Sequence, residues 1–235
     1  MKKKIGLLML ISVIGAVFVF GLILVLIPIV QKANMESNLS HALEGYFERK
    51  EDPSSAQKNP ALRKAMERYN QKLAEGGQKR FTSPADYEIP TFHLADYGEP
   101  EECFGTISIP KIGIQLALYN GANDDTMMLG AGVFANTSLP IGGDSTNTVV
   151  AAHNRYNNVN IFLEIDTLQK GDPIYVENFW ETLCYRVKET DVISPDDFQH
   201  FYIEPGENLL TLMTCYQFPN NDQRYVVVAE YCAEP

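Results

Sequence analysis

The sequence predicts a mainly β protein, an eight-stranded closed barrel that follows N-terminal helices and a single N-terminal transmembrane helix. Residues 5–30 form an apolar run of 26 residues without a charged side chain. From Phe104 onwards, short apolar segments alternate with Gly, Asn and Pro turns, a spacing typical of small barrels. The sequence shows neither a Gly-rich phosphate loop nor strands alternating with long helices. Eight strands are expected at residues 105–112, 115–119, 133–134, 148–152, 173–176, 183–192, 209–214 and 224–231.

The apolar run at residues 5–30 is long enough to cross a bilayer. Three lysines, Lys2 to Lys4, precede it, which places the N-terminus in the cytoplasm and the rest of the chain outside. A cleaved signal peptide is the alternative, but the run is longer than a signal core and no small-residue cleavage site follows it cleanly. We therefore expect a single-pass protein of the cell membrane. Its expected parts are residues 1–34 (cytoplasmic stub and anchor), 35–102 (helices and a possible lid) and 103–235 (an extracellular barrel).

The composition, 45% hydrophobic and 21% charged, is that of a globular protein with a sizeable core. The net charge is −11 and the isoelectric point about 4.8, which argues against nucleic-acid binding. Residues 1–30 carry +3, so residues 31–235 carry −14. An acidic domain would attract a cationic partner such as an amine nucleophile, although a solvated acidic surface is the simpler interpretation.

Two helices are expected between the membrane and the barrel. Residues 35–51 are predicted to continue as a helix leaving the membrane, and residues 52–58 form a break. A second helix begins at Asn59-Pro60, a cap residue followed by proline at the first helical position, and ends at Gly76-Gly77. One face of it is apolar, and we expect it to lie on the barrel; projection into solvent is the alternative. That face comprises Leu62, Met66, Tyr69 and Leu73.

Several local features of the barrel region can also be predicted. Ile107, Ile109 and Ile112 are expected to face inward from the first strand. Residues 160–168 are expected to form a short helix capped by Asn160, with Phe162 in the core. Residues 80–102 show no clear period, and a stretch of this kind is either a lid over a functional site or a surface linker.

The four cysteines are Cys103, Cys184, Cys215 and Cys232. Disulfides are allowed outside the membrane, but if Cys215 reacts, three cysteines remain and cannot all pair. We interpret Cys184 and Cys232 as unpaired small core residues, with a disulfide between them as the alternative. No Cys or His spacing indicates zinc, and Asp124-Asp125 and Asp196-Asp197 are interpreted as solvated loop acids rather than a calcium site. No cofactor is expected.

Three residues form the candidate catalytic group. Cys215 follows the strand Leu209 to Thr214, Arg224 opens the next strand, and His153 follows the strand that contains Val149 and Ala152. Antiparallel pairing of the last two strands would bring the thiol beside the guanidinium, which favours the thiolate. His153 can supply and accept a proton, and Arg224 offers fixed N–H donors for an oxyanion.

Each of these residues also has an ordinary structural interpretation. Cys215 could be a buried core cysteine, His153 a strand-end histidine with a satisfied ring, and Arg224 a solvated charge at a strand edge. Arg155 is a rival for the arginine role, and no carboxylate is obviously placed to orient His153. The other histidines, His41, His93 and His200, lack a comparable context, although His93 could reach the site from the lid segment.

Thr211-Leu212-Met213-Thr214-Cys215, with Arg224 opening the next strand and His153 ending an earlier one, resembles the sortases, the cysteine transpeptidases of Gram-positive cell surfaces. The resemblance covers roughly residues 104–231. It implies a sortase-type barrel in which Cys215 and His153 work as a thiolate–imidazolium pair assisted by Arg224. It also implies that Thr214, Leu212 and Ala152, beside these residues, contribute to substrate binding.

The resemblance further implies an activity. Sortases cleave a sorting signal of the Leu-Pro-Xaa-Thr-Gly type between Thr and Gly, form a thioester on cysteine, and pass the acyl group to an amine. The partners would be sorting-signal-bearing surface or pilin proteins, and the acceptor would be a pilin lysine or a peptidoglycan precursor. A cysteine peptidase that releases the acyl group to water, and a membrane-tethered binding module with a dead site, are the alternatives from other classes.

Within the sortases the chain most resembles class C, the pilin-polymerising branch. Residues 137–143 resemble that branch's segment before the His strand, and the helix that ends near Gly76 resembles its N-terminal helix. The connection from His153 to Cys215 has no room for the long insertion of class B enzymes. The Asp-Pro-aromatic motif that usually anchors the class C lid is absent; residues 83–87 and 89–92 match it only in part. A housekeeping-type sortase that anchors proteins to peptidoglycan is the alternative.

Overall fold

The computed structural model describes residues 2–51, 59–216 and 222–233. The strands are β1 (Cys103–Ile109), β2 (Ile114–Asn120), β3 (Ala131–Val133), β4 (Thr146–Ala151), β5 (Arg155–Tyr156), β6 (Val159–Asn160), β7 (Pro173–Asn178), β8 (Thr182–Ile193), β9 (Asn208–Tyr216) and β10 (Gln223–Cys232). The α-helices are α1 (Lys2–Glu51), α2 (Pro60–Lys72), α3 (Ala85–Glu88) and α4 (Asp124–Met127). Eight strands close into a barrel in the order β1-β2-β3-β4-β9-β10-β8-β7, and β5 and β6 form a separate hairpin. This architecture confirms the predicted fold class.

Apolar side chains on the strands fill the barrel. Ile107 and Ile109 on β1 are fully buried, as predicted. The strand does not reach Ile112, however, because Pro110 has no N–H to donate to the ladder and starts a 3₁₀ turn at Pro110–Ile112. Ile112 packs half-buried against the core from that turn. The predicted inward alternation therefore holds only to the end of β1.

The first helix, α1, is continuous from Lys2 to Glu51. Its N-terminal part is apolar and long enough to cross a membrane by length and composition. The side chains of residues 11–27 are exposed on all faces of the helix, as expected of a segment whose surroundings are lipid. The helix is thus consistent with a single-pass membrane anchor.

The C-terminal part of α1 packs against the barrel. Met35 and Tyr46 are buried, and the Tyr46 hydroxyl donates a hydrogen bond to the Asn178 carbonyl at 3.1 Å. Arg49 pairs with Glu101 at 2.7 Å. The expected helix over residues 35–51 is confirmed, and it is continuous with the apolar part of α1.

The second helix, α2, lies on the barrel, and the alternative of a helix projecting into solvent is wrong. The Asn59 side chain accepts hydrogen bonds from the first helical N–H groups, as predicted for a cap. Leu62 and Met66 are fully buried. On the same helix, the Asn70 amide donates to the Leu139 carbonyl at 3.1 Å and accepts from the Leu139 N–H at 2.7 Å. This paired contact fixes α2 against the chain that leads into β4.

The short helix expected at residues 160–168 is not present. Asn160 is the second residue of β6 rather than a helix cap, and the helical geometry is limited to the 3₁₀ turn Ile165–Thr167. The hairpin β5–β6 competes successfully for this segment because Asn157 and Asn158 adopt positive φ angles of 46° and 62°, which suit a tight hairpin turn. Phe162 is fully buried, as predicted.

Cys184 and Cys232 form a disulfide, so their interpretation as unpaired core residues is wrong. The antiparallel register of β8 and β10 sets them directly opposite each other, with their Cα atoms 5.4 Å apart. This distance lies within the normal range for a disulfide. Cys103 and Cys215 are free.

Replacing both Cys184 and Cys232 with Ala is expected to lower the free energy of unfolding by about 2–4 kcal/mol, because the bridge closes a loop of intermediate length in the unfolded chain. The bridge lies at the last residue of β10, whereas Arg224 is near its first. We therefore expect the rate at which iodoacetamide alkylates Cys215 to stay unchanged. Urea unfolding of the full chain in detergent, with and without dithiothreitol, measures the first effect. An unfolding curve that neither the substitutions nor reduction moves would contradict a stabilising bridge.

Candidate active site

A cavity of about 200 Å³ lies where β4, β9 and β10 meet the chain around α3 and α4. Its walls include all three residues that the sequence predicts as catalytic. The lining residues are Tyr87, Glu88, Ala122, Asp124, Met127, Phe134, Ala151, Ala152, His153, Met213, Cys215 and Arg224.

Cys215 and Arg224 are brought together by the pairing of β9 with β10. The two strands are antiparallel, and their register sets the Cα atoms of Cys215 and Arg224 directly opposite each other. Cys215 is half-buried and free, so its thiol is accessible from the cavity. The connection between β9 and β10, residues 217–221, lies outside the described residues.

His153 reaches the same cavity because β4 runs parallel to β9. The ladder continues beyond β4, where the Ala152 N–H donates to the Met213 carbonyl at 3.4 Å. The Thr214 hydroxyl donates to the Ala152 carbonyl at 2.9 Å. These two bonds align the strand end that carries the imidazole with the strand end that carries the thiol.

Two neighbours that the sequence did not indicate set the environment of His153. The Tyr156 ring stacks on the imidazole, with centroids 4.8 Å apart and an angle of 18° between the planes. Burial lowers the pKa of His153, and the carboxylate of Asp124 raises it. Asp124 is exposed, but it also lines the cavity, so its interpretation as only a solvated loop acid is incomplete. The Asn123 side chain accepts from the Thr126 N–H and caps α4, which holds Asp124 in place.

The residues expected to bind substrate are placed in two different environments. Ala152 lines the cavity. Leu212 is fully buried in the barrel core, and Thr214 is 1% exposed with its hydroxyl bonded to Ala152. Because of this burial, Leu212 and Thr214 are packed within the barrel, and they are not among the residues that line the cavity. Arg155, the rival arginine, is exposed on β5.

The segment around α3 covers one side of the cavity. The Tyr87 ring stacks on Phe134 with centroids 4.5 Å apart and planes 13° apart. Its carbonyl accepts hydrogen bonds from the N–H groups of Ala135 at 2.9 Å and Ala122 at 3.4 Å. Burial raises the pKa of the Tyr87 hydroxyl; charges on Glu88 and Cys215 raise it further, and Arg224 lowers it. Tyr87 thus lines the same cavity as the thiol of Cys215 and the guanidinium of Arg224.

The start of this segment is held by one carboxylate. Asp86 Oδ2 accepts hydrogen bonds from the N–H and hydroxyl groups of both Thr82 and Ser83, at 2.8–3.3 Å. These bonds hold the pKa of Asp86 below its usual range. In the sequence, residues 83–87 match the lid motif only in part, and the acid-aromatic pair Asp86-Tyr87 is the local signal for Tyr87 as a cavity residue.

The cavity offers no obvious place for a metal ion. Within residues 2–51, 59–216 and 222–233, no group of three or more His, Cys, Asp and Glu side chains is arranged to hold one. The chemistry that these walls can perform is that of a thiol, an imidazole and a guanidinium acting together on a carbonyl group.

Comparison with known proteins gives a consistent result. Residues 107–232 match the family model described as the sortase domain. Sortase A of Bacillus anthracis is 28% identical over 132 residues, which are 56% of this chain and 61% of that protein. The match therefore spans about three fifths of the length of this curated relative.

Two solved structures cover more of the chain. A Clostridium perfringens sortase C with the C-terminal cell wall sorting motif is 29% identical, with a TM-score of 0.70 over 83% of this chain and 100% of that one. A crystal structure of Streptococcus agalactiae sortase C1 is 26% identical, with a TM-score of 0.72 over 82% of this chain and 97% of that one.

Proposed function

This chain belongs to the sortase family, and on that premise we propose that it is a membrane-anchored cysteine transpeptidase. It cleaves an LPxTG-like sorting signal between Thr and Gly, holds the acyl group as a thioester on Cys215, and transfers it to an amine. The observation that carries this proposal is the convergence of Cys215, His153 and Arg224 in one cavity from three separate strand ends.

The first half-reaction follows from these side chains. The Cys215 thiolate attacks the carbonyl carbon of the substrate threonine, and the charge that develops on its oxygen is stabilised by N–H donors of Arg224. The His153 imidazolium protonates the glycine nitrogen as the C–N bond breaks. The products are a thioester on Cys215, a free amine that leaves, and a neutral imidazole.

The second half-reaction reverses these roles. An incoming amine attacks the thioester carbonyl, His153 accepts the proton that the amine loses, and the C–S bond breaks to return the thiolate. One amide bond has been exchanged for another, so no oxidant, reductant or cofactor is required. Transfer rather than hydrolysis results when the amine reaches the thioester before water does.

We further propose that the acceptor is a pilin lysine, so that the enzyme polymerises pili. Both sortase structures compared above are class C enzymes, and one of them carries a sorting motif. The N-terminal helix packed on the barrel and the segment over the cavity support the same branch. The alternatives are a housekeeping sortase whose acceptor is a peptidoglycan amine, and a peptidase whose acceptor is water.

An amine-dependence assay separates these functions. The full chain in detergent is incubated with a fluorogenic LPxTG-type peptide alone, with a lysine-containing pilin-like peptide, or with a glycine-terminated peptide. A pilin-type enzyme gives a ligated product with the lysine peptide in preference to the glycine peptide. Preference for the glycine peptide would favour wall anchoring, and cleavage at an unchanged rate without any ligated product would indicate a peptidase.

The proposed location is the cell membrane, with the N-terminus in the cytoplasm and the barrel outside. Lys2 to Lys4 precede the apolar part of α1, and flanking lysines remain on the cytoplasmic side. The disulfide between Cys184 and Cys232 agrees with an oxidising compartment for the barrel.

We propose that the segment around α3 is a lid that restricts access to Cys215. Its contact with the barrel is close at Gly121: a Cβ atom there would lie 2.6 Å from the Glu88 carbonyl oxygen. Gly121 has φ +87°. Gly206, which precedes β9 at the end of that strand away from Cys215, has φ +85° with open space around it. These two glycines provide a matched pair of positions.

Gly121→Ala is expected to displace the lid and to increase the rate at which iodoacetamide alkylates Cys215 several-fold. Gly206→Ala meets the same backbone strain, which costs about 1 kcal/mol, but should leave the alkylation rate unchanged. The measurement is the second-order rate of alkylation of the full chain at a fixed pH. Equal rates in Gly121→Ala and wild type would contradict a lid that limits access.

A further inference from the structure

The Tyr156 ring stacks face to face on the imidazole of His153, the group that gives and accepts the proton in the proposed reaction. The two rings lie 4.8 Å apart and nearly parallel, with 18° between their planes. A cation within about 6 Å of an aromatic face is attracted by the ring quadrupole. The contact therefore favours the imidazolium over the neutral imidazole, and it also fixes the plane of the ring.

The hairpin that carries Tyr156 is built directly onto His153. Tyr156 pairs with Val159 across the two strands. The turn between them consists of Asn157 and Asn158, both with positive φ, which asparagine tolerates better than most residues. The hairpin is closed by the Phe162 N–H, which donates to the His153 carbonyl at 2.9 Å. Since Phe162 is fully buried, the core fixes both ends of the hairpin relative to the imidazole.

The hairpin is also supported from outside. Tyr156 and Val159 are partly buried against the main core, and α1, the helix that continues into the membrane segment, packs near β6. The Tyr156 hydroxyl lies 4.0 Å from the Met128 sulfur, which is a weak contact. The ring rather than the hydroxyl is thus the part of Tyr156 that acts on His153.

The charges around His153 show why such a contact matters. Burial lowers the pKa of His153, so the cavity disfavours the imidazolium that must protonate the leaving amine. The Asp124 carboxylate opposes this effect, and the Tyr156 ring acts in the same direction as Asp124. The other titratable or charged groups that face the cavity are Tyr87 and Glu88 on the lid, Cys215 on β9 and Arg224 on β10.

We propose that Tyr156, presented by the β5–β6 hairpin, is a positioning residue that fixes the His153 ring and stabilises its protonated form. This inference rests on the proposed function for its role in transfer. The stacking itself and its effect on the thiol are independent of any substrate.

The test compares Tyr156→Phe with Tyr156→Leu, and uses Tyr231→Leu as a matched control. Tyr231 makes a ring contact with Tyr185, with centroids 5.9 Å apart, at the far end of β10, so its loss also removes an aromatic pair but not one at the cavity. For each full-length variant in detergent, kcat and KM for amine-dependent transfer are measured across pH. The pH dependence of Cys215 alkylation by iodoacetamide is measured without substrate, and thermal unfolding confirms that the variant is folded.

Tyr156→Phe is expected to behave within twofold of wild type. Tyr156→Leu should lower kcat by about five- to thirtyfold, from lost cation stabilisation and lost orientation, with KM within about twofold. Its alkaline limb of kcat should move to lower pH, because the imidazolium loses its proton more readily. Its alkylation curve should move to higher pH, because a weaker imidazolium stabilises the thiolate less.

Three results would overturn the proposal: unchanged pH curves in a folded Tyr156→Leu, equal losses in Tyr156→Phe and Tyr156→Leu, or the same shifts in Tyr231→Leu. The alkylation curve separates this inference from the proposed function. If wild type transfers nothing to amines but the alkylation curve shifts in Tyr156→Leu, the positioning role holds while the transpeptidase assignment fails. If wild type transfers normally and neither curve moves, the reverse is true.

Discussion

Cys215→Ala is expected to reduce transfer by at least about 10³-fold, because loss of a nucleophile removes the covalent intermediate altogether. The substitution should scarcely change stability, since Cys215 is only half-buried and its side chain is not in the disulfide. The assay is steady-state transfer of an LPxTG-type peptide to an amine by the full chain, combined with mass spectrometry to detect the thioester. The acyl-enzyme mass should be present in wild type and missing from the variant.

The chain supplies its own control for this experiment. Cys103 is the other free cysteine, but it is 1% exposed, and burial raises the pKa of its thiol to about 11. It therefore remains a thiol at neutral pH and should not react. Cys103→Ala should keep transfer and thioester formation, whereas a thioester that persists in Cys215→Ala would refute the assignment of the nucleophile.

His153→Ala is expected to lower kcat by about 10²–10⁴-fold, the usual contribution of a general acid–base group. His200→Ala is the matched control, because His200 is also half-buried but bonds Asp191 at 3.0 Å on another part of the barrel. Its transfer rate should match that of wild type. Comparable losses in both variants would indicate a structural role for His153 instead of proton transfer.

The proposed role of His153 also predicts the direction in which the pH profile of kcat moves when Asp124 is replaced. Burial lowers the pKa of His153 and Asp124 raises it, so Asp124→Asn should lower that pKa further. The protonated imidazole is then lost at lower pH, and the alkaline limb of kcat moves in that direction. Asp125→Asn, at the neighbouring exposed carboxylate on α4, should leave the limb in place.

Much of the barrel could be predicted because its signals are local. Each strand is a run of apolar or β-branched residues bounded by turn residues, and this pattern depends only on neighbours in the sequence. The cap at Asn59 and the apolar face with Leu62 and Met66 are likewise local, and both are confirmed. The helix predicted after Asn160 was wrong because the positive φ angles of Asn157 and Asn158 favour a hairpin, a conformation that the helix-cap pattern did not reveal.

The cavity walls were harder to predict than its centre. Tyr87 and Asp124 line the cavity from α3 and α4, and Tyr156 stacks on His153 from β5. Of these three residues, only Tyr87 has a local sequence signal, the partial motif at residues 83–87. Leu212 and Thr214, by contrast, were expected to bind substrate because they are near Cys215 in the sequence. They stand beside the nucleophile in sequence, yet the barrel buries both side chains, because successive residues on a strand point to opposite faces.

By itself, the sequence determined an apolar segment long enough to span a membrane, the existence of the eight barrel strands, and the candidate thiol, imidazole and guanidinium. Each of these features can be recognised from a run of adjacent residues, because hydrophobic patterning and turn propensity depend on residues close together in the sequence. Only the tertiary structure decided that Cys184 meets Cys232, that Tyr87 lines the same cavity as the thiol and that Tyr156 stacks on the imidazole. Those contacts depend on the register between strands and on how loops pack over a closed barrel, and register is fixed by the whole core at once.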